Sequence, residues 1–246
     1  MSAVIESRAI PRIDPRASVD ASVVTFLDAL TQAGFRGDIR SDYGTRLTAA
    51  TDNSIYQQLP QAVIFPREQG DVVLALRLLA EPRFEGVSLT ARGGGTGTNG
   101  QALTRGVVMD LSRHLRSILE LNLAEGWVRV QPGVVLDDLN AHLKPHGVYF
   151  AANLSPSNRA TMGGMISTDA SGEGSRLHGK TSRHVLDLSL VLRGGVEHRT
   201  RKVSGTELAE LCARGEDGGR VVSGPCVSPT VQTCQPTTAA SRASLR

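Results

Sequence analysis

Cysteine is absent from the first 211 residues of this 246-residue chain, where Cys212, Cys226 and Cys234 are the only ones. No disulfide framework can hold the fold, and the three spacings match no zinc or iron–sulfur pattern. Lysine is nearly absent too. Lys144, Lys180 and Lys202 stand alone among many arginines, and the basic residues form no run and interleave with no aromatics. With a net charge of only +3, the chain lacks the footprint of a nucleic-acid binder. Aromatics make up 4% of residues, so aliphatic side chains must fill the core. No apolar run reaches the ~18 residues that cross a bilayer. Met1–Arg16 lacks the apolar centre of a signal peptide. The expectation is a cytoplasmic protein with no transmembrane segment. His114, His142, His146, His184 and His198 are read as isolated, and no metal site is expected.

What is present is a pattern of short elements. Val23, Phe26, Leu27 and Leu30 recur at helical spacing, with Gly34 placed to end that helix. Gly37–Tyr56 reads as a polar loop. Ala62–Phe65 is a short apolar strand ended by Pro66, and Asp71–Ala80 is an amphipathic helix. Val87–Ala91 and Gly106–Leu111 are two further strands. Beyond them lie a hairpin around Ala124-Glu125-Gly126, a helix over Val135–Leu143 and a second hairpin turning at Gly194-Gly195. The fold class is α+β: a small βαβ sheet, then a second, mainly antiparallel sheet with helices. From Cys212 onward the chain has no Phe, Trp, Tyr, Ile or Met. Residues 206–246 therefore read as a disordered tail or as the out-of-frame translation of a GC-rich gene.

The most informative stretch is Arg92-Gly93-Gly94-Gly95-Thr96-Gly97-Thr98-Asn99-Gly100. Clustered glycines buy backbone freedom at an entropic cost, and successive N–H groups in such loops form nests for anions. Arg92 is expected to add positive charge at the lip, and Thr96 and Thr98 to add hydroxyls. The loop reads as a phosphate or diphosphate cradle, with a flexible glycine hairpin or a simple anion-binding module as the alternatives. Gly95-x-Gly97-x-x-Gly100 formally matches a dinucleotide fingerprint, but that fingerprint opens a helix, and here a strand starts at Gly106. A Walker loop would need a lysine that is missing.

In this order, Ala62–Pro66, the helix Asp71–Ala80 and Arg92–Thr98 resemble the flavin-binding domain of the vanillyl-alcohol oxidase superfamily, the PCMH-type FAD-binding fold. Gln131-Pro132-Gly133-Val134, Ser155-Pro156, Ala160-Thr161-Met162-Gly163-Gly164-Met165, Thr168, Ala170, Gly172, His178-Gly179-Lys180 and His184-Val185 continue the resemblance. Asp42-Tyr43, Arg46 and Thr51-Asp52-Asn53-Ser54-Ile55-Tyr56 are similar to the entry of the bacterial FAD-linked oxidoreductases of the D-2-hydroxyglutarate and D-lactate dehydrogenase type.

The resemblance implies an N-terminal arm and helix over 1–40, an FAD-binding domain over 41–205 that is incomplete because no closing element follows Gly195, and the tail over 206–246. It implies FAD as cofactor and partner. Gly93, Gly94, Gly95, Thr96, Gly97 and Thr98 would hold the diphosphate, with Arg92 beside them. Pro66 would stand by the adenosine half and Val185 by the adenine. Ser155, Thr161, Gly164, Thr168 and Gly172 would line the ribityl chain and the flavin. Gly95 occupies the position of a covalently linked histidine in some members, so the FAD is expected to be non-covalent. The implied activity is oxidation of a small D-2-hydroxy acid, D-2-hydroxyglutarate or D-lactate, by hydride transfer to FAD, with an unidentified electron acceptor. Any iron–sulfur cluster and the substrate cap would belong to a part not in this chain. Catalytic residues stay unassigned; Arg159, Arg176, His178 and Lys180 lie nearest the flavin-side motifs. The alternative is a truncated, non-catalytic remnant that binds FAD weakly or not at all. Gly94→Val is expected to empty the cradle by occupying a phosphate oxygen's place.

Overall fold

The computed structural model describes residues 18–200, 204, 206 and the backbone of 227–233. Helix α1 (Ala21–Gln32) buries Val23, Phe26, Leu27 and Leu30, the stripe expected from their spacing, and Gly34 follows it at φ +86°. The polar stretch read as a loop contains two small elements, strand β1 (Asp38–Arg40) and helix α2 (Tyr43–Thr48). Neither has an apolar period to announce it. α2 starts because the Asp42 carboxylate accepts the Thr45 N–H at 3.0 Å, and β1 exists because β2 (Ala62–Phe65) offers it an antiparallel edge.

β2 is buried along its whole length. Helix α3 (Gln69–Leu79) leads to β3 (Leu89–Arg92), and the chain then returns in β4 (Val107–Asp110). The first sheet has the order β1-β2-β4-β3, with β4 parallel to both β2 and β3. Adjacent parallel strands need a crossover, usually helical. Between β3 and β4 the crossover is the glycine loop, and it forms no helix. Ala62, Ile64, Val107 and Met109 pack with α1 and α3 in one core, while Val63, Phe65 and Val108 face Ala49 on the other side. The division drawn at residue 40 thus separates α1 and β1 from the lobe they complete: α1 packs on α3 and β1 is a strand of the sheet.

The second lobe has its own core, built on Val128, Val130, Leu136, Leu139, Phe150, Met162 and Met165. Strands β5 (Ile118–Asn122) and β6 (Trp127–Val130) form the first hairpin; helix α4 (Leu136–Leu143) follows. Two short helices, α5 (Met162–Ser167) and α6 (Ser175–His178), precede the hairpin of β7 (Val185–Leu192) and β8 (Val196–Arg199). That hairpin turns through Gly194 and Gly195 at φ +90° and +74°, the left-handed pair a tight two-residue turn requires. Strand β9 (Val227–Thr233) lies antiparallel between β6 and β7, giving the order β5-β6-β9-β7-β8. These seven residues sit inside the stretch read as a disordered or out-of-frame tail, and no apolar run marked them. Pro229, which has no N–H to donate, falls where the β7–β9 register shifts between Ser189 and Val191. The rest of 206–246, apart from Thr206, lies outside the described residues.

Candidate functional site

The site begins where β3 ends. Leu111 N–H donates to the Arg92 carbonyl at 2.9 Å, closing the β3–β4 ladder. The chain then leaves the sheet without entering a helix, so its main-chain donors lose their usual acceptors. From Gly93 through Thr98 no backbone N–H is given to another group among the described residues, and the hydroxyls of Thr96 and Thr98 are also unbonded. Pairing resumes with Asn99 N–H to Gln101 Oε1 at 3.1 Å and Leu103 N–H to Gly100 carbonyl at 3.0 Å.

The facing wall comes from the second lobe. Met162 N–H donates to Val134 carbonyl and Gly163 N–H to Pro132 carbonyl, both at 2.8 Å. Thr161 caps α5, its Oγ1 accepting Gly164 N–H at 3.4 Å. The Thr168 hydroxyl on this wall is already committed, donating to the Gly164 carbonyl at 3.0 Å. The glycines of this stretch lie inside helix α5, with Thr161 as its N-cap.

The walls touch where glycine leaves room. A side chain at Gly93 would strike Thr161 Oγ1, and one at Gly94 would strike the Arg159 main-chain carbonyl. Behind the second wall, one at Gly172 would strike the Asn153 carbonyl. Between the walls lies a cleft of about 880 Å3, within the range of ligand pockets. Arg92 through Thr98, Ser155, Thr161, Gly164, Thr168 and Gly172 all line it, brought together from two cores. Pro66 and Val185 are not in its lining: Pro66 is buried beyond β2, and Val185 begins β7 opposite Thr233. Asn99, Gln101, Ser167 and Ser171 also line the cleft. Their adjacency to the two motifs was the only signal for them.

The electrostatics are spare. Among the described residues Arg92 is the one charged residue in the lining, and its guanidinium does not stand free at the lip. It turns to the Thr51 carbonyl at 2.7 Å and the Ala49 carbonyl at 3.5 Å. Burial draws its pKa down, opposed by the carboxylates of Asp110 and Asp52. Arg159 is exposed and reaches Asn53 Oδ1 at 3.3 Å, while Lys180 pairs with Asp169 at 3.7 Å. Neither of them, nor Arg176 nor His178, lines the cleft. Asp169 holds its loop: it adopts φ +46° and accepts Ser182 N–H at 3.0 Å. His142 and His146 are four residues apart, a metal-ligand spacing that reading them as isolated passed over. Their rings lie 6.4 Å apart, and no group of three candidate ligands exists among the described residues.

His184 is a buried ring against Phe150, with Nε2 3.0 Å from the His178 carbonyl. Burial pushes its pKa below 6.5; the hydrogen bond to the His178 carbonyl opposes this, and the charges of His178 and Arg183 add to the depression. The unfolded chain therefore binds the proton more readily. The stability from neutral His184 is complete above pH 6.5 and is lost as pH falls through and below that value. Thermal melts from pH 7.5 to 5 should show a declining midpoint, and the decline should flatten in His184→Gln. An equal slope in both proteins would contradict this.

Residues 60–201 match the family model described as FAD binding domain. The chain belongs to that FAD binding domain family. The D-2-hydroxyglutarate dehydrogenase of Pseudomonas putida is 58% identical over 193 residues, which is 78% of this chain and 19% of the relative. The enzyme of the same name from Escherichia coli is 56% identical over 205 residues, 83% of this chain and 20% of the relative. The chain thus spans about a fifth of the length of these relatives. Among solved structures, an alkyldihydroxyacetonephosphate synthase superposes with a TM-score of 0.72 at 18% identity, covering 90% of this chain and 41% of that one. Physcomitrella patens BBE-like 1 gives 0.66 at 19%, covering 85% and 43%. These two show the fold. The α+β architecture expected from the resemblance is the one found for this FAD binding domain.

Proposed function

We propose that this chain is the flavin-holding portion of a larger oxidoreductase acting on a D-2-hydroxy acid, D-2-hydroxyglutarate ahead of D-lactate. The observation that carries the reading is the run of main-chain donors from Gly93 through Thr98 with no acceptor among the described residues, in the wall of a cleft. Unpaired amides of this kind suit a diphosphate, and the family is that of FAD-binding domains. Ser155, Thr161, Gly164, Thr168 and Gly172 on the facing wall would run along the ribityl chain and ring. Pro66 and Val185 would lie toward the adenosine end, behind the lining. FAD held there would supply the hydride-accepting ring.

Among the described residues the lining contains no histidine, cysteine or tyrosine, which favours non-covalent attachment. It also contains no carboxylate, lysine or histidine among the described residues, so these residues bring to the cleft no group to take the substrate's hydroxyl proton. This favours turnover that depends on segments beyond the described residues, along with the electron acceptor and any iron–sulfur cluster. A chain that binds flavin but turns over nothing alone is the second reading, supported by that same lining. A cytoplasmic setting accords with a domain that uses no cysteine through residue 211; among the described residues no helix is long and apolar enough to cross a membrane.

The test is the absorbance spectrum of the purified full-length chain, before and after incubation with FAD. A bound flavin spectrum is expected, with all flavin released by acid precipitation. Bleaching by D-2-hydroxyglutarate would support the full activity, and bound but unbleached flavin the second reading. A chain that takes up no FAD would overturn the flavin-holding reading and leave a remnant that binds no flavin.

A further inference from the structure

The one charged side chain in the cleft lining spends itself on the protein. Arg92 leaves the end of β3 and bonds the carbonyls of Thr51 and Ala49. Gly95 takes φ +63° directly against the guanidinium, where a side chain would collide with it. The segment that Arg92 grips is closed on itself by the Thr51–Gln57 bridge and by Gln58 N–H to Ala50 carbonyl at 3.0 Å. Its tip then meets both walls. The Tyr56 ring lies over Gly100, at the far end of the glycine loop, and Asn53 accepts from Arg159 on the second lobe. The Asp52 carboxylate near Arg92 has one oxygen, Oδ2, buried with no hydrogen-bond partner, so the cation also offsets that charge.

We infer that Arg92 is a positioning residue rather than a phosphate ligand: it bolts the 49–58 segment to the glycine loop, and that segment braces the two cleft walls against each other. A planar guanidinium can serve two carbonyls at once; a lysine ammonium at the same place serves one as a point charge. The inference rests on the flavin reading only for its second readout.

The test compares Arg92→Met and Arg92→Lys with the wild-type full chain. Amide hydrogen exchange is measured first without ligand. Loss of the charged hydrogen bonds is expected to speed exchange at residues 54–58 by about tenfold or more, with β4 amides unchanged, and lysine is expected to restore part of the protection. FAD dissociation from the reconstituted chain should accelerate in the same rank order. Normal exchange at 54–58 together with weakened FAD binding would show direct contact with the diphosphate and overturn the proposal; normal exchange with normal binding would overturn it too. If Met does not fold, the lysine variant alone decides between these outcomes. If the wild type binds no FAD, the flavin reading fails, and the exchange data still decide the role of Arg92.

Discussion

Gly94→Val is expected to cost the chain both its flavin and part of its fold, whereas Gly97→Ala should cost only the flavin. The difference lies in what each new side chain meets. At Gly94 the obstacle is the main-chain carbonyl of Arg159, which belongs to the second lobe and cannot swing aside. Overfilling of this kind costs about 1–3 kcal/mol, sometimes more, and here it pries apart the seam between the two walls. A Gly94 variant therefore cannot separate loss of the cradle from loss of the seam, contrary to its expected use as a clean probe of phosphate contact. At Gly97 the obstacle is the end of the Gln101 side chain, which can move, and the backbone there is not left-handed. A methyl group would then stand in the cleft while the fold persists. Thermal melts and FAD titrations of both variants should show a lowered midpoint for Gly94→Val alone and affinity reduced about tenfold or more, roughly 1.4 kcal/mol, for both. Wild-type FAD affinity in Gly97→Ala would remove the glycine loop from the binding site.

Phe26→Ala should unfold the first lobe more readily than any surface change. Phe26 is fully buried and meets Phe84 edge-on at 5.4 Å, in a cluster with Leu30, Ile64 and Val72. Truncating such a ring costs about 3–5 kcal/mol, against a total stability of about 5–15 kcal/mol for a typical domain. Val24, on the same helix but 44% exposed, is the control, and its alanine variant should stay within about 0.5 kcal/mol of wild type. Urea denaturation followed by circular dichroism reads both. A Phe26 variant as stable as the Val24 control would show that α1 adds nothing to the core of the first lobe.

Much of this was legible in the sequence because the relevant signals are local. The period of α1, the unbroken apolar run of β2 and the glycine pair before β8 each state their conformation within a few residues. The cleft was legible for a different reason. Its two walls are short ordered motifs, so Gly93–Thr98 and Thr161–Gly164 could be assigned to one ligand before their contact was known. What sequence did not reveal depends on distant partners. β1 forms only because β2 is beside it, β9 only because two hairpins leave a place between them, and the Arg92 guanidinium is directed by carbonyls some forty residues earlier. An arginine before a glycine run looks like a phosphate ligand until its neighbours in space are known.

The helix-free crossover between β3 and β4 has a further consequence. A donor set made of main-chain amides is encoded by the path of the backbone, not by the identity of side chains. Such a site can survive extensive surface and core turnover, including drift toward arginine and alanine in a GC-rich genome, because few of its donors can be mutated away. Its vulnerability is concentrated in the glycines that let the path run where it does. Inheritance of the binding function then reduces to inheritance of a curve in space.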